Sequence, residues 1–107
     1  SVQSCLDDLL AQKCDAIVVC QGLMASETII YLHQKGIQLA QDIDLVSFVD
    51  YDSDVYALYA NQMDSIIQPV EAMAETCVEL VLGEPNPNTP SLLCLPVRYA
   101  YGGTTKA

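Results

Sequence analysis

The sequence predicts an α/β fold with a parallel sheet, and three observations carry that prediction. Two short, nearly continuous apolar runs, at residues 15–20 and 45–49, have the composition of strands covered on both faces. Segments with helical spacing precede and separate these runs, so the first half of the chain reads helix, strand, helix, strand. Strands that alternate with helices form parallel sheets with right-handed crossovers.

The elements of the first half follow from local patterns. Residues 4–12 carry leucines at helical spacing, which predicts a first helix. Residues 24–35 repeat apolar side chains at i, i+4 and i+7, and Gly36 supplies a helix ending. Residues 50–62 mix acidic residues with three tyrosines and show no clear period. They are predicted to form a long ordered loop of functional or interfacial importance.

The second half contains shorter elements. Residues 65–67 predict a short strand, and the apolar stripe of residues 69–82 predicts a helix that begins at its proline and ends before Gly83. Residues 84–90 contain three prolines, so no regular structure is expected there. An apolar run at residues 92–97 predicts a last strand.

Composition limits the function classes. With 107 residues the chain has the size of one modest domain, and its net charge of −10 disfavours nucleic-acid binding by this segment itself. No apolar run is long enough to predict a membrane span. The five cysteines are odd in number and include no C-x-x-C pair, which favours small buried thiols in a reducing cytoplasm.

Several motifs in a fixed order carry a family resemblance. A strand followed by a polar pair leads into "LMA" at the start of a helix that ends in "KG", and "DIDLVSFVD", "SIIQPVEAMAETCVELVLGE" and "LLCLPVRY" follow. In this order and spacing, from about residue 15 to residue 98, the chain resembles the C-terminal part of the LacI/GalR transcription regulators.

The resemblance implies a truncated, three-layer parallel-sheet lobe of the periplasmic-binding-protein-like type I fold. Residues 1–100 would form the C-terminal portion of an effector-binding and dimerisation domain, the helix at 69–82 would belong to the other lobe, and residues 101–107 would be a flexible tail. Family members are homodimers that bind a small effector, often a sugar or sugar derivative, between two lobes. They bind DNA through an N-terminal headpiece, which we expect to lie outside these 107 residues.

Four residues are the candidate effector contacts. Ligands of open parallel sheets bind beyond the carboxyl ends of strands, where Gln21 and Gly22 lie. In the family an Asn-Asp pair occupies these two positions, so the carboxylate that would accept hydrogen bonds from a sugar is missing. Asp50 ends the next strand and Gln68 matches the glutamine of the family's "QP" pair. Each residue has a structural alternative. Gln21 would be a loop residue, Gly22 a turn glycine, Asp50 a capping or turn carboxylate and Gln68 a cap of the helix start.

A dimer surface is expected from the same resemblance. Tyrosine is enriched at interfaces because it offers apolar area with one polar tip. The predicted dimer contacts are Met24, Ile30, Tyr56, Leu58 and Tyr59. Packing within one chain is the alternative interpretation of the same residues.

Other chemistry has little support in the sequence. The D-x-D-x-D run at residues 50–54 lacks the glycine and glutamate of a calcium loop, and the single histidine, His33, has no metal-ligand or triad partner in register, so we expect no metal site and no enzyme. No cofactor motif is present. The leading hypothesis is the sensing segment of a cytoplasmic regulator, and the alternative is a periplasmic solute-binding protein of the same fold.

Overall fold

The computed structural model describes residues 1–49 and 63–106, with three helices and four strands in those ranges. The helices and strands, in chain order, are α1 (Val2–Ala11), β1 (Ala16–Val19), α2 (Gly22–Gln34), β2 (Asp44–Val49), β3 (Asp64–Ile67), α3 (Val70–Leu82) and β4 (Arg98–Ala100). This order confirms the predicted mixed α/β class and each predicted helix and strand up to α3, with boundary shifts of one or two residues. The loop predicted at residues 50–62 lies outside the described residues.

The four strands form one sheet in the order β1-β2-β3-β4. The first three strands are parallel, as predicted, and β4 pairs antiparallel to β3. The prediction of a last strand at 92–97 is wrong, because the strand begins only at Arg98. Pro96 cannot donate a backbone hydrogen bond to a ladder, so pairing begins after it, with Arg98 opposite Ile67.

One hydrophobic core lies between the sheet and the two first helices. Its buried members come from α1, β1, α2, β2 and the residues that flank β2 and β3: Leu6, Ile17, Val19, Ala25, Leu32, Ile43, Leu45 and Met63. Strand β1 alternates, with Ile17 and Val19 buried but Val18 62% exposed. Within residues 1–49 and 63–106, helices therefore cover only one face of β1, whereas the unbroken apolar run predicted cover on both.

A polar contact on the surface joins α1 to α2. The Tyr31 hydroxyl donates a 2.5 Å hydrogen bond to Asp7, and the Lys35 ammonium lies 3.1 Å from the same carboxylate. The hydrogen bond from Tyr31, and then that from Lys35, lower the pKa of Asp7 below its usual range. The same contact raises the pKa values of Tyr31 and Lys35. The two helices are thus joined by one charged contact above their buried leucines.

Helix α3 is exposed along its whole length. None of its residues is buried, and Val81 and Leu82 are each 80% exposed. The amphipathic pattern predicted this helix. Its apolar side chains are not buried against any other described part of the chain. The interpretation that α3 belongs to another lobe stays a prediction.

The cysteines differ from expectation. Cys14 is partly buried, whereas four other thiols lie at the surface, at Cys5, Cys20, Cys77 and Cys94. Cys20 follows β1 at the sheet edge, Cys77 lies on the uncovered α3, and Cys94 precedes β4 outside the ladder. None of these sites is buried, so the prediction of small buried hydrophobes is wrong for four of the five.

The C-terminal segment packs on the sheet. Thr104 is only 3% exposed, and its hydroxyl donates a 2.7 Å hydrogen bond to the carbonyl of Leu45. The backbone N–H of Leu45 donates in turn to the carbonyl of Thr104 at 2.9 Å. The Lys106 N–H donates to Asp44. A frayed tail was expected over residues 101–107, but Thr104 and Lys106 are held on the sheet. Backbone and hydroxyl donors anchor this segment, although it contributes little apolar surface.

Candidate functional site

The carboxyl ends of β1, β2 and β3 lie at one edge of the sheet, because these strands are parallel and adjacent in that order. Gln21 and Gly22 follow β1, and Gln68 follows β3. With neighbouring strands about 4.8 Å apart, the ends of β1 and β3 lie roughly 10 Å from each other. The sheet thus brings these three predicted contacts to the same edge, while Asp50 lies outside the described residues.

A cavity of about 420 Å³ lies where β3 passes into α3, and residues at the beginning of β4 also line it. This volume falls within the range of small-molecule sites. The lining residues are Ile67, Gln68, Pro69, Val70, Glu71, Ala72, Pro96 and Arg98. Gln68 is therefore a predicted contact that lines the cavity, whereas Gln21 and Gly22 are not part of this lining.

Three side chains give the cavity its polar character. Gln68 offers an amide, Glu71 a carboxylate and Arg98 a guanidinium, and the remaining lining is apolar or backbone. Arg98 stands beside the strand end because it pairs with Ile67 in the ladder, one residue before Gln68. Sequence reasoning missed Glu71 and Arg98, since the antiparallel pairing that brings Arg98 to this edge has no local signature.

A buried carboxylate holds the β4 wall of the cavity in place. Asp64, at the start of β3, is fully buried. Its Oδ1 accepts backbone hydrogen bonds from Gly102, Gly103 and Thr104 at 2.8, 2.9 and 3.1 Å. Its Oδ2 accepts from the Tyr99 hydroxyl and, at 2.6 Å, from the Thr105 hydroxyl. We call Asp64 with its donors in residues 99–105 the Asp64 cluster.

These hydrogen bonds keep the carboxylate ionised. Burial raises the pKa of Asp64, but the hydroxyls of Thr105 and Tyr99 and the amides of Gly102 and Thr104 outweigh it and bring the pKa to about 2. The hydrogen bond to this carboxylate raises the pKa of Tyr99. The cluster fixes β4, and with it Arg98, against β3. The sequence carried only two signals of the Asp64 cluster. One is an acidic residue at the start of an apolar strand, and the other is a pair of glycines followed by a pair of threonines.

The comparison with known families agrees with this architecture. A family model described as "Periplasmic binding protein-like domain" matches residues 2–105, almost the whole chain. The chain belongs to this family. No significant match was found among curated proteins or among solved structures.

As a periplasmic binding protein-like domain, the chain has a fold that supports binding of a small-molecule ligand. The observed sheet, parallel in three of its four strands, is consistent with a truncated type I lobe of this family. Domains of this family are generally non-enzymatic. A ligand-binding role and the position of the cavity at a strand end therefore agree.

Two of the predicted dimer contacts of this periplasmic binding protein-like domain can be placed on α2. Met24 is 40% and Ile30 50% exposed, so both are accessible to a partner. At about 100° per residue they lie roughly 120° apart around the helix, whereas Leu23 and Ile30, seven residues apart, share one face. Leu23 is 55% exposed and was missed by the sequence analysis. The other three contacts, Tyr56, Leu58 and Tyr59, lie outside the described residues.

The described residues of this domain form neither a metal site nor a membrane-spanning helix. No group of three or more histidine, cysteine, aspartate or glutamate side chains is arranged to hold a metal ion among residues 1–49 and 63–106. His33 is exposed on α2. No helix in those same ranges is both long and apolar enough to span a membrane.

Proposed function

We propose that this chain is the effector-sensing and dimerising segment of a bacterial LacI-type transcription regulator. The observation that carries the proposal is a small-molecule-sized cavity at the carboxyl end of β3, lined by Gln68, in a domain of the periplasmic binding protein-like family. The ordered motifs of the sequence supply the finer assignment to regulators. DNA binding would belong to a headpiece outside these 107 residues.

The charge of the chain supports this division of labour. Fourteen acidic and four basic residues give a net charge of −10, so the segment repels the phosphate backbone of DNA. In the proposed regulator the segment senses an effector and dimerises, and the apolar side chains of Leu23, Met24 and Ile30 on α2 belong to the homodimer contact. An effector that binds one arrangement of the dimer more tightly than another shifts its population.

The thiols support a cytoplasmic location over export. Five cysteines are free, four of them at the surface, and such thiols would oxidise or mispair in an oxidising compartment. A periplasmic solute-binding protein of the same fold is the competing assignment.

Fractionation of the native organism tests the assignment, with an antibody raised against this chain. A regulator is recovered with the cytoplasm and crosslinks to discrete DNA sites, whereas a solute-binding protein is released with the periplasm and crosslinks to no DNA. Recovery in the periplasm would overturn the proposal.

Sedimentation tests the dimer separately. The unmodified chain is expected to sediment as a dimer, and Ile30→Lys as a monomer, because burying an unpaired charge would cost most of the free energy of association. Leu92→Lys is the matched control, since Leu92 is 75% exposed and belongs to the segment before β4 rather than to α2. A dimer that persists unchanged in Ile30→Lys would exclude α2 from the contact.

A further inference from the structure

The cavity at the β3–α3 junction contains one of only four basic residues in the chain. Of the others, Lys35 is paired with Asp7 at 3.1 Å, and Lys13 and Lys106 are not part of the lining. Between the residues that the structure describes, Lys35–Asp7 is the one ion pair, so no described carboxylate lies within 4 Å of the Arg98 guanidinium. In a chain of net charge −10, this exposed cation lies in the lining of a cavity that a ligand can enter.

The helix side of the lining carries the opposite charge. Glu71 lies in the first turn of α3, and Gln68 adds an amide that both donates and accepts. The remaining lining residues, Ile67, Pro69, Val70, Ala72 and Pro96, offer no charge. The polar groups are thus the Arg98 guanidinium on the strand side, the Glu71 carboxylate on the helix side and the Gln68 amide at the β3–α3 junction.

We propose that the cavity binds a small carboxylate that also carries a hydrogen-bond donor, that is, a hydroxy acid or an amino acid. A guanidinium matches the two oxygens of a carboxylate through paired N–H donors, and this match is stronger than a contact with a neutral hydroxyl. Glu71 accepts a hydrogen bond from the hydroxyl or ammonium group of the same molecule. The proposal rests on the proposed function, because it names the chemical class of the effector for that site.

The lining also disfavours two other ligand classes. A polyanion such as a nucleic acid would meet one guanidinium within a strongly acidic surface, so repulsion would dominate. A neutral sugar offers the guanidinium no carboxylate, and the lining contributed by the described residues contains no aromatic side chain on which a sugar ring could stack. A small molecule with one carboxylate pairs with Arg98, and a donor group on the same molecule pairs with Glu71.

Isothermal titration calorimetry of the full 107-residue chain tests this with the three-carbon probes glycerol, glycerate and serine and with the six-carbon pair glucose and gluconate. We expect glycerate and serine to bind and glycerol not to bind. Arg98→Gln is expected to weaken glycerate binding by about tenfold or more, the effect of losing a charge-assisted pair. Lys106→Gln removes the same charge outside the cavity and should leave the affinity unchanged. Arg98→Lys keeps the charge, and an intermediate loss is expected because the paired geometry is gone.

A second variant tests the other wall. Glu71→Gln should weaken serine more than glycerate, because serine presents an ammonium group to the carboxylate. Circular dichroism verifies that every variant keeps its helices, which is expected since Arg98 and Glu71 are exposed. Equal losses in Arg98→Gln and Lys106→Gln would overturn the proposal, and so would binding of glycerol or glucose without binding of the acids.

The two proposals fail in different ways. Binding of neutral sugars alone would remove the carboxylate class and leave the regulator assignment in place. Binding of acids by a protein recovered from the periplasm would remove the regulator and leave the ligand class in place. If none of the acids binds, gluconate included as a six-carbon acid, the ligand class is wrong whatever the fractionation shows.

Discussion

Replacing Asp64 by asparagine tests whether the Asp64 cluster holds the C-terminal segment on the sheet. The carboxylate accepts hydrogen bonds from the hydroxyls of Tyr99 and Thr105 and from three backbone amides, and the Thr104 hydroxyl lies 3.4 Å from its Oδ1. Asparagine keeps one acceptor oxygen but turns the other position into a donor and removes the charge. The variant should fold with the same helices and with a weaker attachment of residues 99–105.

The magnitude follows from the pKa of the group. A fall from 3.8 in the unfolded chain to about 2 in the folded chain corresponds to about 2.4 kcal/mol of stability above the unfolded pKa, at about 1.36 kcal/mol per pKa unit. We therefore expect Asp64→Asn to lower the free energy of unfolding by about 2–3 kcal/mol at neutral pH. Asp8→Asn removes an equal charge from an exposed site and should change it by less than about 0.5 kcal/mol.

Urea unfolding followed by circular dichroism, repeated from neutral pH to pH 3, measures this difference. Because folding lowers the pKa of Asp64, its contribution is complete above the unfolded pKa and is lost as the pH falls through the folded pKa. The stability gap between the unmodified chain and Asp64→Asn should thus shrink to about half by roughly pH 3. A gap that stays constant with pH, or that equals the gap of Asp8→Asn, would refute the electrostatic explanation.

Two further pairs of variants test packing. Gly102→Ala should lower the free energy of unfolding by more than about 2 kcal/mol, because the added Cβ would overlap the backbone of Met63. Gly36→Ala should cost only about 1 kcal/mol, since that position is open and only its φ of 75° disfavours alanine. Leu32→Ala, at a fully buried site, should cost about 2–5 kcal/mol, whereas Leu82→Ala, at an 80% exposed site, should cost less than about 0.5 kcal/mol. Urea midpoints rank each pair, and a reversed order would contradict the packing described.

The parts of the fold that sequence reasoning recovered are those with a local signal. The two apolar runs became β1 and β2, and the stripe of Ala25, Ile29 and Leu32 became the inner face of α2, with Ala25 and Leu32 fully buried. Periodicity also gave the bounds of α3. It could not show that α3 is uncovered, because a pattern marks the face that could be buried and says nothing of whether a partner surface is present.

The parts that were missed depend on contacts distant in sequence. Asp64 meets its donors 35 to 41 residues later, and no pattern within either segment shows that pairing. The same antiparallel turn of the chain brings Arg98 to Ile67 and so to the cavity. The position of Gln68 at a strand end beside the cavity could be predicted from its "QP" motif, whereas its role as an effector contact stays a prediction. The other polar residues of the lining could be found only from the three-dimensional register.

The position of the Asp64 donors determines when the domain can be completed during synthesis. A ribosome delivers Asp64 well before residues 99–105, so β3 emerges with an acidic group that has no amide or hydroxyl donors yet. Until those residues leave the exit tunnel, this carboxylate must remain hydrated, which keeps β3 from being buried early. The domain is therefore completed late, when β4 and the two glycines that follow it reach Asp64. Stalled or shortened nascent chains would expose the apolar β3 residues to proteases and chaperones.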